Sequence, residues 1–294
     1  MNVYDIITDR LLQEIEKGTI PWHKPWKSED GEESTNLVSH KPYRGINRFL
    51  LAHMPYQRPY FVTYKQAGDL GGNVKKGEHG TPVIFWKQNT YSKTDSDGSE
   101  SEHTGFVLRY YTVFNVAQCE GLDKFLPIMP AIDRSEIATH AKSEQLVSQW
   151  ASRPTLNHVR GNRAYYQPST DSIVLPERDQ FSSQAEYYST LFHELTHSTG
   201  HASRLNRPTL TDASYFGSQN YSKEELVAEL GAAFLCGEAG IENEAALKNS
   251  AAYLDGWRKK LKADSKIIVQ AAGQAQKAAD LILGAQAHPY AQAA

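Results

Sequence analysis

The sequence predicts an α+β protein: a small antiparallel sheet in the N-terminal half, then a mostly helical C-terminal half. Three observations lead there. Short runs rich in β-branched and aromatic residues, at 59–63, 82–87 and 106–116, lie between glycine- and proline-containing turns in the first half. Helical periodicity dominates the second, at 135–150, 183–199, 221–235, 246–262 and 265–283. The length of 294 residues, 40% hydrophobic and 22% charged, is that of about two globular domains. The expected division is a first domain over 1–125, a linker over 126–134 holding Pro127 and Pro130, and a second domain over 135–294.

The bulk properties exclude several classes. The net charge is only −3, so the chain as a whole has no basic signature. Two cysteines, Cys119 and Cys236, are too few for a cysteine zinc site or a disulfide framework, so any metal is held by histidine and carboxylate. There is no basic–apolar–small leader pattern, and no apolar run approaches the roughly 18 residues of a membrane span. The expectation is a cytoplasmic protein with no membrane partner.

Residues 2–17 form an amphipathic helix with Val3, Ile6, Ile7, Leu11, Leu12 and Ile15 on one stripe, closed by Gly18. The following Ile20-Pro21-Trp22-His23-Lys24-Pro25-Trp26-Lys27 is an extended loop, because two prolines forbid a helix interior. Its indoles either plug the core or, with the lysines, make a stacking platform for unpaired bases. Residues 28–35 are an acidic loop. A short helix runs from Tyr43-Arg44-Gly45 to about residue 52, and Thr63 caps a helix over 64–70 ended by Gly71-Gly72. Strand 82–87 and strand 106–116 flank a polar, acidic stretch over 88–103, a hairpin tip or a flexible loop. Across residues 1–130, setting aside the acidic stretches 29–33 and 95–102 leaves 15 basic against 8 acidic residues. A basic, aromatic-rich scaffold suits single-stranded nucleic acid.

Five segments in order strengthen that reading: Ile20-Pro21-Trp22 with Pro25-Trp26, Tyr43-Arg44-Gly45-Ile46-Asn47, Thr63-Tyr64-Lys65-Gln66-Ala67, Gly72 through Gly80, and Tyr111 through Val116. Together they resemble the N-terminal domain of ArdC-type antirestriction proteins, shared with some plasmid DNA primases. The resemblance implies binding of single-stranded DNA with little sequence preference. The expected contacts are Trp22, Lys24, Trp26, Lys27, Tyr43, Arg44, Arg48, Lys65, Lys75 and Lys76.

In the second half, the helix over 135–150 leads into short strands across 156–175, turning at Gly161-Asn162 and near 168–171. The helix over 183–199 carries His193-Glu194-Leu195-Thr196-His197 and ends at Gly200. Residues one turn apart share a face, so both imidazoles can meet one ion. Glu194 then stands beside them as a general base. This is the arrangement of a zinc metallopeptidase. Ser203 stands where a metzincin needs histidine. His201 lies about 12 Å further along a continuous helix, so it is a weak candidate unless the chain turns back.

The third ligand is expected from the helix over 221–235. Ser222 and Glu225 read as a capping box, and Glu225 and Glu229 share a face. Spacing does not decide between them. Glu229 is preferred as ligand for its depth among alanines, with Glu225 behind it or as the alternate ligand. The two helices resemble the metallopeptidase domain that follows in ArdC-type proteins, so the second domain is expected to be zincin-like, of the gluzincin kind. Zn2+ is the expected cofactor, with another divalent ion such as Mn2+ as the alternative. Tyr215, Tyr221 and His201 are candidate oxyanion donors.

The expectation is an antirestriction protein that binds single-stranded DNA and protects plasmid DNA arriving by conjugation from restriction endonucleases. Two alternatives stand beside it. One is a DNA-dependent metalloprotease acting on DNA-bound proteins or a restriction enzyme. The other is a DNA-binding or nuclease-sequestering protein with a structural metal. A nuclease or primase centre is disfavoured because no acidic metal-pair motif is present.

Overall fold

The structure is a computed structural model and describes residues 2–16, 34–52, 54, 56, 58–94, 100–127, 136–211, 219–241 and 251–285. Helix α1 (Val3–Glu16) buries Ile7, Leu11, Leu12 and Ile15, the stripe its spacing predicts. Strand β1 (Thr35–Asn36), helix α2 (Ile46–Ala52), strand β2 (Tyr60–Thr63) and helix α3 (Tyr64–Asp69) follow. Thr63 caps α3 in a reciprocal box: its hydroxyl accepts from the Gln66 amide, and Gln66 Oε1 accepts from the Thr63 amide. Gly71, at φ 80°, lets the chain leave the helix.

Strands β3 (Asn73–Val74), β4 (Thr81–Thr94), β5 (Glu100–Asn115) and β6 (Cys119–Glu120) complete this half. The main sheet has the order β1-β2-β5-β4 and is antiparallel except where β1 runs parallel to β2; β3 pairs with β6 apart from it. The stretch 88–103, expected as a hairpin tip or flexible loop, does belong to a hairpin, but its described residues are strand. β4 and β5 stay in register from Thr81↔Val113 to Thr94↔Glu100. Since β2 reaches only Val113–Asn115 of β5, the outer hairpin is a two-stranded ribbon among the described residues. A ribbon of two strands buries little of either face, so the alternation that reveals a half-buried strand is missing there.

Helix α4 (Glu136–Gln149) leads to strands β7 (Thr155–Val159), β8 (Tyr165–Gln167) and β9 (Ser172–Pro176). They form a mixed sheet of order β7-β9-β8, with β7 parallel and β8 antiparallel to β9. Helices α5 (Gln184–Thr199), α6 (Pro208–Thr211), α7 (Gln219–Ala239), α8 (Ala251–Ala263) and α9 (Ile267–Leu283) complete the chain. Ser183 caps α5, its hydroxyl accepting from the Glu186 amide, and Gly200 ends the helix, as the sequence predicts. Helix α7 starts at Gln219, so Ser222 lies inside the helix and is not its cap.

The largest core surrounds α7, whose Leu226, Leu230, Phe234 and Leu235 are buried. α9 packs beside it through buried Ala271, Ala272, Ala275 and Ala279, small enough for close approach. α5 crosses α7 at Gly231, where a Cβ would stand 2.4 Å from Thr196 Cγ2. Only glycine allows that crossing without displacement. Residues from the N-terminal half join this core. Ile7, Leu11, Ile46 and Phe49 belong to it, and Phe49 stacks on Phe234 at 4.9 Å. Polar ties run alongside: the Thr8 hydroxyl donates to the Ser265 carbonyl at 2.8 Å, and the Gly45 amide to Gln276 Oε1 at 3.0 Å. No helix among the described residues is long and apolar enough to cross a membrane.

Candidate metal centre

Helical spacing on α5 brings His193 and His197 together with ring centroids 4.7 Å apart. Their Nε2 atoms face each other at 3.1 Å. Across the helix pair, Glu225 of α7 places one oxygen 3.6 Å from His193 Nε2 and the other 3.5 Å from His197 Nε2. These donor atoms all lie within 4.8 Å of one another. Ligands about 2.0–2.2 Å from a tetrahedral zinc stand roughly 3.3–3.5 Å apart. The triangle has sides of that size, so the three residues fit a divalent ion. Two imidazoles and a carboxylate also suit zinc or manganese by ligand type.

The sequence favours Glu229 as third ligand, whereas the geometry brings in Glu225. Glu229 is buried one turn further along α7, 8% exposed, and does not join the cluster. The early start of α7 explains the difference. With the helix beginning at Gln219, Glu225 has no capping role, and its carboxylate is available to the histidines. Glu194 is buried next to His193 on α5 and acts electrostatically on His197. His201 stands outside the cluster, its Nδ1 bonded to the Ser203 hydroxyl at 2.8 Å. Tyr215 lies outside the described residues, as does the side chain of Tyr221.

Behind His197 lies a network the sequence reading passed over. Glu224, 4% exposed, accepts from His197 Nδ1 at 3.3 Å. It also accepts from Arg207 through Nη2 at 2.6 Å and Nε at 3.1 Å, and from the Thr209 hydroxyl. Arg207, 3% exposed, donates further to the Thr199 hydroxyl at 2.6 Å and the Thr196 carbonyl at 2.8 Å at the end of α5. With Glu224 as acceptor, the Nδ1 proton stays on that side and the Nε2 lone pair is left for an ion. The adjacent pair Glu224-Glu225 was the available signal. Neighbours on a helix diverge by about 100°, so one can face an ion while the other backs its ligand.

Burial pushes the His197 imidazole down. The Glu224 hydrogen bond and the charges of Glu194, Glu225 and Glu224 outweigh it and hold the group up at about 9. Burial likewise raises Glu224, but His197 and Arg207 bring it down to about 2. In the metal-free protein the His197 contribution to stability is therefore complete below about 6.5 and is lost as pH rises through about 9. The Glu224 contribution is complete above about 4.5 and is lost as pH falls through about 2. A proton on His197 competes with an ion for Nε2. Metal affinity is expected to rise by about tenfold per pH unit between pH 6 and 8, as measured by chelator competition; a flat profile would contradict the assignment.

The residues expected to contact DNA are scattered. Trp22, Lys24, Trp26 and Lys27 lie outside the described residues. Tyr43 is buried edge-on against Phe61, its hydroxyl bonded to Asn36, and so is not a surface stacking platform. Arg48 is buried, paired with Glu238 and set over the Phe234 ring, and Arg44 pairs with Asp280 of α9. These partners lie some 190 to 236 residues away in sequence, which is why composition could not reveal them. Lys65, Lys75 and Lys76 remain exposed, Lys65 paired with Asp69 and Lys75 donating to the Ala117 carbonyl.

Comparison with known proteins bears on both halves. A family model for the N-terminal domain of anti-restriction factor ArdC matches residues 1–114, and one for a zincin-like metallopeptidase matches residues 141–274. Two crystal structures of the antirestriction ArdC protein from plasmid R388 share the fold. The metal-free one is 37% identical with a TM-score of 0.70, covering 96% of this chain and 97% of that one. The Mn(II)-bound one is 35% identical with a TM-score of 0.73, covering 98% and 100%. A DNA primase TraC of Escherichia coli is 38% identical over 297 residues, which is 95% of this chain but 20% of the primase. The chain thus spans about a fifth of that relative's length. An uncharacterized protein, y4eC, from Sinorhizobium fredii is 33% identical over 95% of this chain and 91% of its own length.

Proposed function

Because the chain belongs to the ArdC family of antirestriction proteins, we propose that it binds single-stranded DNA and shields plasmid DNA entering by conjugation from restriction endonucleases, using a divalent-metal peptidase centre. The observation that carries the chemical part is the triangle of His193, His197 and Glu225 donors. Zinc or manganese is the ion, held by those three side chains. When bound, such an ion supplies Lewis acidity and lowers the pKa of water.

The chain's own residues do the rest. Arg207 and Glu224 hold the His197 ring so that Nε2 points at the centre. Glu194 takes the proton of the attacking water and returns it to the leaving peptide nitrogen. Burial of Glu194 limits competition from bulk solvent. Edge strand β8, packed near α5, offers backbone groups to an extended peptide.

A second reading is protection by occupancy, with the metal structural. It is favoured by the recurrence of almost the whole chain inside a DNA primase. Glu194→Ala separates the two, since it leaves the three metal ligands untouched. Plasmid transfer into a restricting recipient is expected to lose its protection with this variant, while the purified variant still binds metal. Full protection by Glu194→Ala would establish occupancy and remove hydrolysis from the function.

A further inference from the structure

The outer β4–β5 ribbon exposes side chains that neither the metal centre nor the core uses. Phe106 is 60% exposed and Tyr110 is 50% exposed, both large aromatics on a strand. They are four residues apart, so they share one face of β5 at a spacing of roughly 13 Å, on either side of Leu108, which is buried in the core. Between them in sequence, Arg109 is exposed on the opposite face, paired in register with Phe85. Lys87, also exposed, shares that face, paired with Val107. Neither cation has an ion pair among the described residues. From Phe106 to Thr112, β5 pairs with β4 alone, so its other edge is open among the described residues.

Charge is graded along the ribbon. Residues 81–90 and 105–113 contain Lys87 and Arg109 and no acid, whereas Glu100 and Glu102 lie further out on β5. A polyanion is attracted to the inner part and repelled by the outer part. Along the open edge of β5 the exposed rings project to one face and the exposed cations to the other, so an unpaired nucleic-acid strand lying on that edge meets rings for its bases and cations for its phosphates. An acidic peptide would also meet the cations, but two widely exposed rings on one face are better used by planar bases.

The geometry points to the inner β4–β5 ribbon as the surface that takes single-stranded DNA, with bases stacked on Phe106 and Tyr110 and phosphates drawn to Arg109 and Lys87. This rests on the DNA-binding reading above and assigns it to a surface. It also replaces Tyr43 and Arg48, which are buried.

The test is fluorescence anisotropy of the full-length protein with a labelled oligothymidylate over a range of salt. Phe106→Ala and Tyr110→Ala are each expected to weaken binding by about 5- to 150-fold. The double variant Lys87→Gln/Arg109→Gln is expected to flatten the slope of log affinity against log salt by about 1.4. Melting temperature and metal affinity should stay at wild-type values, since all four side chains are exposed and outside the metal cluster. If wild type binds DNA with a steep salt dependence and these variants bind equally well, the ribbon assignment is overturned and the DNA reading stands. If wild type itself does not bind, both fall.

Discussion

Arg207→Ala is expected to destabilise the protein by about 3–5 kcal/mol. The guanidinium is 3% exposed and joins three things: the Glu224 carboxylate on α7, the Thr199 hydroxyl and the last carbonyls of α5. Removing it leaves Glu224 charged and buried with only the Thr209 hydroxyl and His197 as partners. It also leaves helix-end carbonyls without their donor. Much of the loss is therefore the cost of a stranded charge. The double variant Arg207→Met/Glu224→Gln, which strands none, should recover part of it. Urea unfolding in the presence of chelator is the measurement, because bound metal would add its own stabilisation. A loss below about 1 kcal/mol would show that the network is not a stability element.

Glu225→Ala is expected to lower metal affinity by well over 100-fold, whereas Glu229→Ala should lower it by no more than the roughly 10- to 100-fold of a supporting residue. The contrast follows from the triangle. Glu225 oxygens stand 3.5 and 3.6 Å from the two histidine nitrogens, and Glu229 is absent from the cluster. Titration of metal into chelator-stripped protein reads both variants directly. The reverse order, with Glu229→Ala the more damaging, would restore the ligand that depth along the helix suggested.

The choice between Glu225 and Glu229 marks where sequence reading ends. The two histidines were legible because helix geometry makes residues four apart neighbours whatever the tertiary fold. The choice between two glutamates on another helix was not. It depends on where that helix starts and on how closely it crosses α5, which Gly231 controls. Arg207 was invisible for the same reason, since its role arises from contacts between elements, and Glu224 left only the adjacency to Glu225 as a signal. The capping of α3 by Thr63 was readable because caps are local. The β4–β5 ribbon was underestimated because two strands paired only to each other leave no periodic apolar face to detect. Arg44 and Arg48 looked like free cations until α9 and α7 supplied Asp280 and Glu238.

The stacking of Phe49 on Phe234 and the packing of α1 against α8 and of α2 against α9 have a thermodynamic consequence. Cutting the chain between its halves would expose one continuous apolar surface on both pieces. The halves therefore unfold together, and anything bound to either one raises the melting point of both. On the proposals above, an ion at the histidines and a DNA strand on the ribbon would each protect the other's binding surface from denaturation. They do so as co-tenants of one native state, and neither needs to alter the other's affinity.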